Sequence, residues 1–437
     1  MPTTPVGDAV SAPSHVGHIP AHVGATAVVH ARRRASADYR AGVTPQHDDG
    51  TASADVTDAT LSRTFLDAGG GAPLLPQARA AFVEALDQGW ADPRRLHTEG
   101  RRARMLLDGA REAVASVVGA RTQDVDLAPS HTTALHSAVL AVAAGRRRVG
   151  TQVVVGAVER AAVLAAADRL GPDVRVTVPV DRLGRVDVDA FTAAVARPGV
   201  ALAAMQHANG EVGTLQPVAE AHEAARRAGV PLLVDAGASL GHVAVGPAWD
   251  LLAADAGDWG GPAGIGVLVT RPGVRRSPDR PDDEDRWFPG GVSVPAALAA
   301  AVALQVAEQS RSADDVARRA LVDRIRHRVA AEVPDVDVVG DPDDRLPHVL
   351  TFSCLYVDGE TLVGGLDALG FAVGSGSACT SSALEPSHVL AAMGALTHGN
   401  VRLALPRGTS AQDVDRFLDA LPPVVARVRE AFGVAGL

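Results

Sequence analysis

The chain has 437 residues, of which 47% are hydrophobic and 21% are charged, so it is long and apolar enough to build a large core. Its formal net charge of -10 at pH 7 leaves no basic stripe for neutralising phosphates, and we expect no nucleic-acid partner. Two cysteines, no secretory signal pattern and no apolar run of roughly 18 residues predict a cytoplasmic protein without a disulfide framework or a membrane span.

Residues 1–63 have neither a strand period nor a helix period. This segment mixes small, apolar and polar residues and holds five histidines at irregular spacings, with no companion cysteine. We predict a flexible, low-complexity extension. A metal-binding tail is the alternative that the histidines leave open.

From Thr64 onward, short apolar runs alternate with Ala- and Arg-rich helical stretches. Residues 153–155, 201–205, 231–234 and 266–270 read as strands, and residues 218–228 as an intervening helix. Fully apolar strands separated by helices predict a mostly parallel sheet covered on both faces, an α/β domain spanning residues 64–310. The charged, Pro-rich residues 271–285 interrupt this pattern and predict a surface loop.

The last third of the chain predicts a smaller α+β domain, residues 311–437. An Ala-rich helix over 294–311 leads into it. Apolar runs at 348–352 and 371–373 predict strands, and an amphipathic pattern over 413–432 predicts the final helix.

Every one of the 41 basic side chains is an arginine, and the sequence contains no lysine. A Schiff base needs a primary amine that can lose its proton, whereas a guanidinium stays protonated and delocalised. Biased base composition explains arginine on the surface. It does not explain an acidic residue where an amine is required.

Three ordered segments carry a resemblance to a known family. They are residues 207–217 (HANGEVGTLQP), residues 234–236 (VDA) and residues 374–381 (GSGSACTS), the last followed by PSHVL at 386–390. Their order and spacing resemble the class V aminotransferases, specifically the cysteine desulfurase branch. The resemblance spans about residues 64–433 and implies a pyridoxal-phosphate fold type I subunit. It also implies a homodimer with sites at the subunit interface.

In that family a lysine forms an imine with pyridoxal phosphate, just before a Gly-Pro-Lys-Gly-Ile-Gly segment. The corresponding residues 250–266 of this chain place Asp258 at the lysine position without a gap. The resemblance also puts Arg160 where a histidine stacks on the cofactor ring, Gly210 where an amide stands, and Ala238 where a glutamine stands. The family's Arg-Ser-Gly-Thr phosphate contact reads PGGV at 289–292.

Other positions keep the family's residue types. The resemblance makes Asp235 the partner of the ring nitrogen, with a helix cap as the alternative. It puts Thr132 and Thr133 at a turn whose N–H groups suit a phosphate, although the same turn is also an ordinary helix cap. Asn209 remains as a cofactor contact.

Two further positions match functional residues of the family. Arg402 matches the arginine that binds the substrate carboxylate, with a surface ion pair as the alternative. His97 matches a family histidine, or is structural.

Cys379 matches the mobile-loop cysteine that takes sulfur from the substrate. Its Gly and Ser neighbours suit an accessible thiol, and an inert remnant of ancestry is the other interpretation. Cys354 lies in an apolar strand-like run and reads as a small buried hydrophobe.

These departures predict a cysteine desulfurase-like protein that is degenerate for pyridoxal-phosphate catalysis, inactive alone, with no covalent cofactor and doubtful noncovalent binding. It would act as a homodimer or as a heterodimer with an active paralogue. The alternative is an active sulfur-transfer enzyme or a relay through Cys379. Trp259 is predicted to fill part of the vacated pocket.

Overall fold

The computed structural model describes residues 63–277, 290–375 and 386–434. All of them belong to one compact unit, Leu61–Leu437. The predicted extension at 1–63 apart from its last residue, residues 278–285 of the predicted loop and the segment that carries Cys379 lie outside the described residues.

The first two-thirds of the unit alternate strands and helices, as predicted. The strands are β1 (Thr64–Phe65), β2 (Val125–Ala128), β3 (Gln152–Gly156), β4 (Arg175–Val178), β5 (Val200–Gln206), β6 (Leu232–Asp235), β7 (Leu251–Asp255) and β8 (Gly266–Thr270). The helices are α1 (Pro76–Gln88), α2 (Thr98–Val118), α3 (His131–Gly145), α4 (Ala161–Asp168), α5 (Val188–Val195) and α6 (Val218–Arg227).

Seven of these strands form one sheet in the order β2-β8-β7-β6-β5-β3-β4. Strands β4, β3, β5, β6 and β7 pair in parallel, and β8 runs antiparallel to both β7 and β2. Alternating residues of the strands divide between two cores: Val154, Ala203 and Val234 face one, while Val155 and Leu202 face the other. The sheet is therefore buried on both faces, which confirms the predicted α/β architecture.

A long helix, α7 (Val294–Glu332), begins at the Ser293 cap and continues well beyond the predicted end at residue 311. Its second half stays helical because Arg318, Val322, Ile325 and Val329 are buried at helical spacing. Residue 310, the predicted domain boundary, lies inside this helix, and the boundary itself stays a prediction.

The remaining elements are β9 (Val336–Val339), β10 (Val349–Cys354), α8 (Gly359–Ala368), β11 (Phe371–Ala372), α9 (His388–Met393), β12 (Asn400–Ala404) and α10 (Ala411–Ala431). Strands β9, β10 and β12 form an antiparallel sheet in the order β12-β10-β9, and β1 pairs in parallel with β11. A separate apolar core joins this sheet to α10 and the end of α7. Across the described ranges, none of the helices combines the length and apolar character that a membrane span requires.

Candidate functional site

A cavity of about 360 Å³ opens where the parallel strands of the large sheet end. Asp235 is the last residue of β6, Asn209 follows β5, Arg160 follows β3 and Asp258 follows β7. The carboxyl ends of parallel strands meet at one edge of a sheet, and ligand sites of α/β proteins form there. The structure therefore gathers these four predicted residues, together with Arg402 from β12, around one cavity.

Asp235 is the centre of the charge arrangement, since its carboxylate is only 4% exposed. Its Oδ1 accepts a hydrogen bond from the backbone N of Gly237 at 2.8 Å and lies 2.9 Å from His131 Nε2. Its Oδ2 accepts a hydrogen bond from Arg160 Nε at 3.1 Å. Burial raises the pKa of Asp235, but the His131 and Arg160 contacts outweigh it and hold the pKa below its usual range. Asp235 is therefore ionised.

Asp258 faces the same cavity from the end of β7 and is also 4% exposed. Its Oδ1 accepts a hydrogen bond from the backbone N of Gly70 at 2.6 Å. Burial raises the pKa of Asp258 to about 6, although the nearby Arg160 lowers it. At neutral pH Asp258 carries a negative charge, and its burial makes that charge unfavourable in free energy.

His242 and Arg318 hold the backbone of Asp258 in place through two successive hydrogen bonds. The carbonyl of Asp258 accepts a hydrogen bond from His242 Nε2 at 2.9 Å, and Arg318 Nη1 donates to His242 Nδ1 at 3.0 Å. These two contacts require the neutral tautomer with its proton on Nε2, and burial lowers the pKa of His242 well below its usual value. His242 stacks on His348, which lines the cavity, with ring centroids 3.9 Å apart.

Two glutamates at the cavity were not predicted as site residues. Glu159 is fully buried, and burial raises its pKa to about 8. Its Oε1 accepts from the backbone N of Gln206 at 2.9 Å, while Oε2 has no hydrogen-bond partner within the described ranges. Glu211 also lines the cavity, and burial raises its pKa. The sequence signal that could have found them is their position. Glu159 directly precedes Arg160, and Glu211 lies within the 207–217 motif.

Arg402 and Asn209 also line the cavity, and their roles toward a substrate and a cofactor stay predictions. Arg402 Nη2 donates to Asp67 Oδ1 at 2.9 Å, and the two side chains are 12% and 31% exposed, so the ion pair is partly buried. Asn209 Oδ1 accepts from the backbone N of Glu211 and of Val212, at 2.8 and 2.9 Å. That amide therefore shapes the turn after β5.

The predicted phosphate seat has the geometry of a helix cap. Ser130 Oγ accepts from Thr133 N at 3.1 Å and lies 2.8 Å from Thr133 Oγ1. The residues that line the cavity in the described part of the chain include neither Thr132 nor Thr133. His131, between the cap and Thr132, is the residue of this turn that reaches Asp235.

His97 and Trp259 lie elsewhere than the cavity wall. His97 caps α2, accepting from the backbone N of Gly100 at 3.2 Å, and its side chain is more than half exposed. Trp259 is fully buried, but its Nε1 donates to the carbonyl of Ala300 at 3.0 Å. Its ring packs against α7 because the chain turns away from the cavity after Asp258, so the predicted filling of the pocket by Trp259 is wrong.

The residues 64–417 match the family described as aminotransferase class V. This chain belongs to the class V aminotransferase family. It is 37% identical over 385 residues to a cysteine desulfurase of Cereibacter sphaeroides, covering 84% of this chain and 97% of that protein. It is 32% identical over 359 residues to the cysteine desulfurase NifS of Azotobacter vinelandii, covering 80% of this chain and 89% of that one.

Solved structures support the same fold. A NifS-like protein superposes with a TM-score of 0.76 at 23% identity, over 85% of this chain and 99% of its own. The chain therefore has the pyridoxal-phosphate fold type I of class V aminotransferases, and pyridoxal phosphate is the cofactor expected for such a family.

The cavity residues test whether that cofactor fits. Holding pyridoxal phosphate covalently takes a primary amine, and activating it takes a carboxylate at the ring nitrogen. The sequence offers no lysine, and Asp258 presents a carboxylate at the cavity wall. Both oxygens of Asp235 already contact groups of the chain itself. These residues do not fit a covalently held pyridoxal phosphate.

Proposed function

We propose that this chain is a cysteine desulfurase-like class V aminotransferase that has lost autonomous pyridoxal-phosphate catalysis. The observation that carries the proposal is the carboxylate of Asp258 at the cavity wall, in a chain without lysine. We assign Asp258 to the position of the imine-forming lysine. A carboxylate cannot form an imine, and arginine cannot replace the amine.

The test is a titration of the purified protein with pyridoxal phosphate, followed by dialysis, borohydride reduction and assay of sulfide release from cysteine. An active cysteine desulfurase, taken through the same steps, is the positive control. We expect no retained chromophore, no reduced adduct by mass spectrometry and no sulfide. A chromophore that survives dialysis together with sulfide production would overturn the proposal.

A second candidate function is a sulfur relay through Cys379. Its support is the placement of the two described ends of the segment that carries this cysteine. Gly374 pairs through its backbone with Arg402 at the cavity, and on the other side Ser387 and His388 line the cavity. In the relay, the thiolate of Cys379 attacks the outer sulfur of a donor persulfide. The donor's S–S bond breaks, a new S–S bond forms on Cys379, and the donor leaves as a thiolate.

Incubating the protein with an active desulfurase and cysteine, followed by alkylation and peptide mass analysis, tests the relay. We expect 32 Da of added sulfur, roughly the mass of one sulfur atom, on the Cys379 peptide, and none in Cys379→Ser. Cys354→Ser is the matched control, because Cys354 is fully buried in β10 and burial raises its pKa to about 12. If Cys379 stays unmodified, the relay is contradicted, and the proposed loss of autonomous catalysis remains without it.

We further propose that the chain acts as a dimer, either with itself or with an active paralogue. Large apolar side chains are exposed on and just after α1: Val83 is 57%, Leu86 50% and Trp90 70% exposed. Leu86 and Trp90 line a second cavity of about 640 Å³. Exposed apolar side chains spaced three and four residues apart are typical of an interface, and of the two dimers we propose the one with a second copy of this chain.

A further inference from the structure

Arg160 stands at the N-cap position of α4 but does not cap the helix with its side chain. It precedes α4 with extended backbone angles, φ -56° and ψ 137°, and its side chain makes no capping hydrogen bond. The side chain instead turns toward the end of β6, where Nε donates to Asp235 Oδ2. Arg160 therefore joins the ends of two strands that are separated by β5 in the sheet.

The space beside Gly237, two residues after Asp235, is closed by Arg160 and His131. A Cβ atom added at Gly237 would lie 3.0 Å from Arg160 Nη2 and 2.3 Å from His131 Cε1. Even one methyl group therefore does not fit between these side chains without displacing one of them. Arg160 lines the cavity beside Asp235 and already donates to its Oδ2.

A carboxylate at a ring nitrogen pairs with one positive N–H group, that of the pyridinium. At Asp235 this N–H group is already supplied by Arg160, 3.1 Å away. A pyridinium ring placed against the same oxygen would meet a second positive charge and would have to displace the guanidinium. Arg160 thus supplies the positive N–H group that a pyridinium ring would otherwise supply.

We infer that Arg160 is an internal cation that takes the place of the cofactor ring at Asp235 and excludes pyridoxal phosphate, separately from the missing lysine. This inference rests on the proposed loss of imine chemistry and deepens it. Its consequence is specific: returning a lysine to position 258 is not sufficient to return the cofactor. The position 160 side chain must change as well.

The experiment compares the wild type, Asp258→Lys, Arg160→His and the double variant. Each is incubated with pyridoxal phosphate, reduced with borohydride and mapped by mass spectrometry. We expect an adduct at position 258 in the double variant and at least about tenfold less in Asp258→Lys alone. Calorimetric titration with pyridoxamine 5′-phosphate, which cannot form an imine with a protein amine, measures ring binding directly. Arg160→His should bind it at least about tenfold more tightly than the wild type.

Arg175→Gln is the control for loss of an arginine, with Arg160→Gln as its matched variant. Arg175 pairs with Asp168, and its side chain is 34% exposed against 35% for Arg160. Arg160→Gln should gain pyridoxamine phosphate binding, and Arg175→Gln should not. Thermal unfolding establishes that each variant is folded, and Arg160→Gln carries the test if Arg160→His is not.

The inference is overturned if Asp258→Lys alone retains as much adduct as the double variant. It is overturned equally if folded Arg160 variants bind pyridoxamine phosphate no more tightly than Arg175→Gln. A wild type that retains the chromophore and releases sulfide would instead contradict the proposed function. The two failures are therefore distinguishable.

Discussion

Arg160 Nε lies 3.1 Å from Asp235 Oδ2, although 75 residues separate them in the chain. The carboxylate is 4% exposed, whereas about a third of the arginine side chain is exposed. The guanidinium neutralises a charge that burial alone makes costly, and His131 Nε2 lies 2.9 Å from the other carboxylate oxygen. The charge balance of the cavity therefore depends on this pair.

The contributions of Arg160 and Asp235 to the free energy of unfolding should be coupled. Arg160→Gln leaves Asp235 with its contacts to His131 and to the backbone of Gly237 but without the guanidinium charge. We expect the free energy of unfolding to fall by about 1–3 kcal/mol, reduced from the fully buried case because Arg160 is partly exposed. Asp235→Asn removes the charge that needs a partner, so the double variant should lose less than the sum of the two single losses. Urea unfolding of the four proteins measures the coupling. Additive losses would show that the two side chains do not stabilise each other.

The pH dependence of stability should change when Asp258 is replaced. Its pKa rises from 3.8 to about 6 on folding, so the folded protein binds its proton more readily than the unfolded chain does. Ionised Asp258 therefore costs stability, with no cost below about pH 4 and the full cost above about pH 6.

Asp258→Asn removes that cost and still offers an oxygen to the backbone of Gly70. We expect it to stabilise the protein by on the order of 2 kcal/mol at pH 8 and to make little difference near pH 4. Urea unfolding at pH 4, 6 and 8 measures this, with the half-exposed Asp168→Asn as control. The same difference at all three pH values would contradict the prediction.

Cys354 should be inert in the folded protein. It is fully buried in β10, and burial raises its pKa to about 12, so almost no thiolate is present at pH 8. We expect iodoacetamide to leave Cys354 unmodified in the native protein and to alkylate it after denaturation in urea. Digestion at Glu360, which lies between the two cysteines, places Cys354 and Cys379 in separate peptides, so one peptide map reports both. Rapid native alkylation of Cys354 would contradict its buried position.

The proposed self-association should depend on Trp90. A glutamate at this position would remove the large apolar indole and would put an ionised carboxylate into the contact, so Trp90→Glu should shift the protein from dimer toward monomer. Light scattering after size-exclusion chromatography measures the mass. Val316→Glu is the matched control, because Val316 on α7 is also 70% exposed. A monomeric wild type, or a Trp90→Glu protein that remains dimeric, would contradict the proposed interface.

The sequence predicted the α/β architecture and the positions of six of the twelve strands in the described ranges, because apolar runs of strand length are visible without knowing what they contact. The predicted end of α7 at residue 311 was wrong, because the helix continues to Glu332. Residues 312–315 (SADD) are polar and favour helix boundaries, but Arg318, Val322 and Ile325 are buried against the rest of the protein and keep α7 helical. Tertiary packing, which local pattern does not contain, decided that end.

By itself the sequence determined the family's fold, the absence of any lysine and the presence of acids at several strand ends. The tertiary structure alone decided how the charges pair: Arg160 with Asp235, Asp258 with the backbone of Gly70, and Glu159 buried without a partner for Oε2 in the described part of the chain. It also placed Trp259 against α7 rather than in the cavity. The physical reason is that pairing and burial depend on distances between segments far apart in the chain, and the sheet sets these distances only when it assembles.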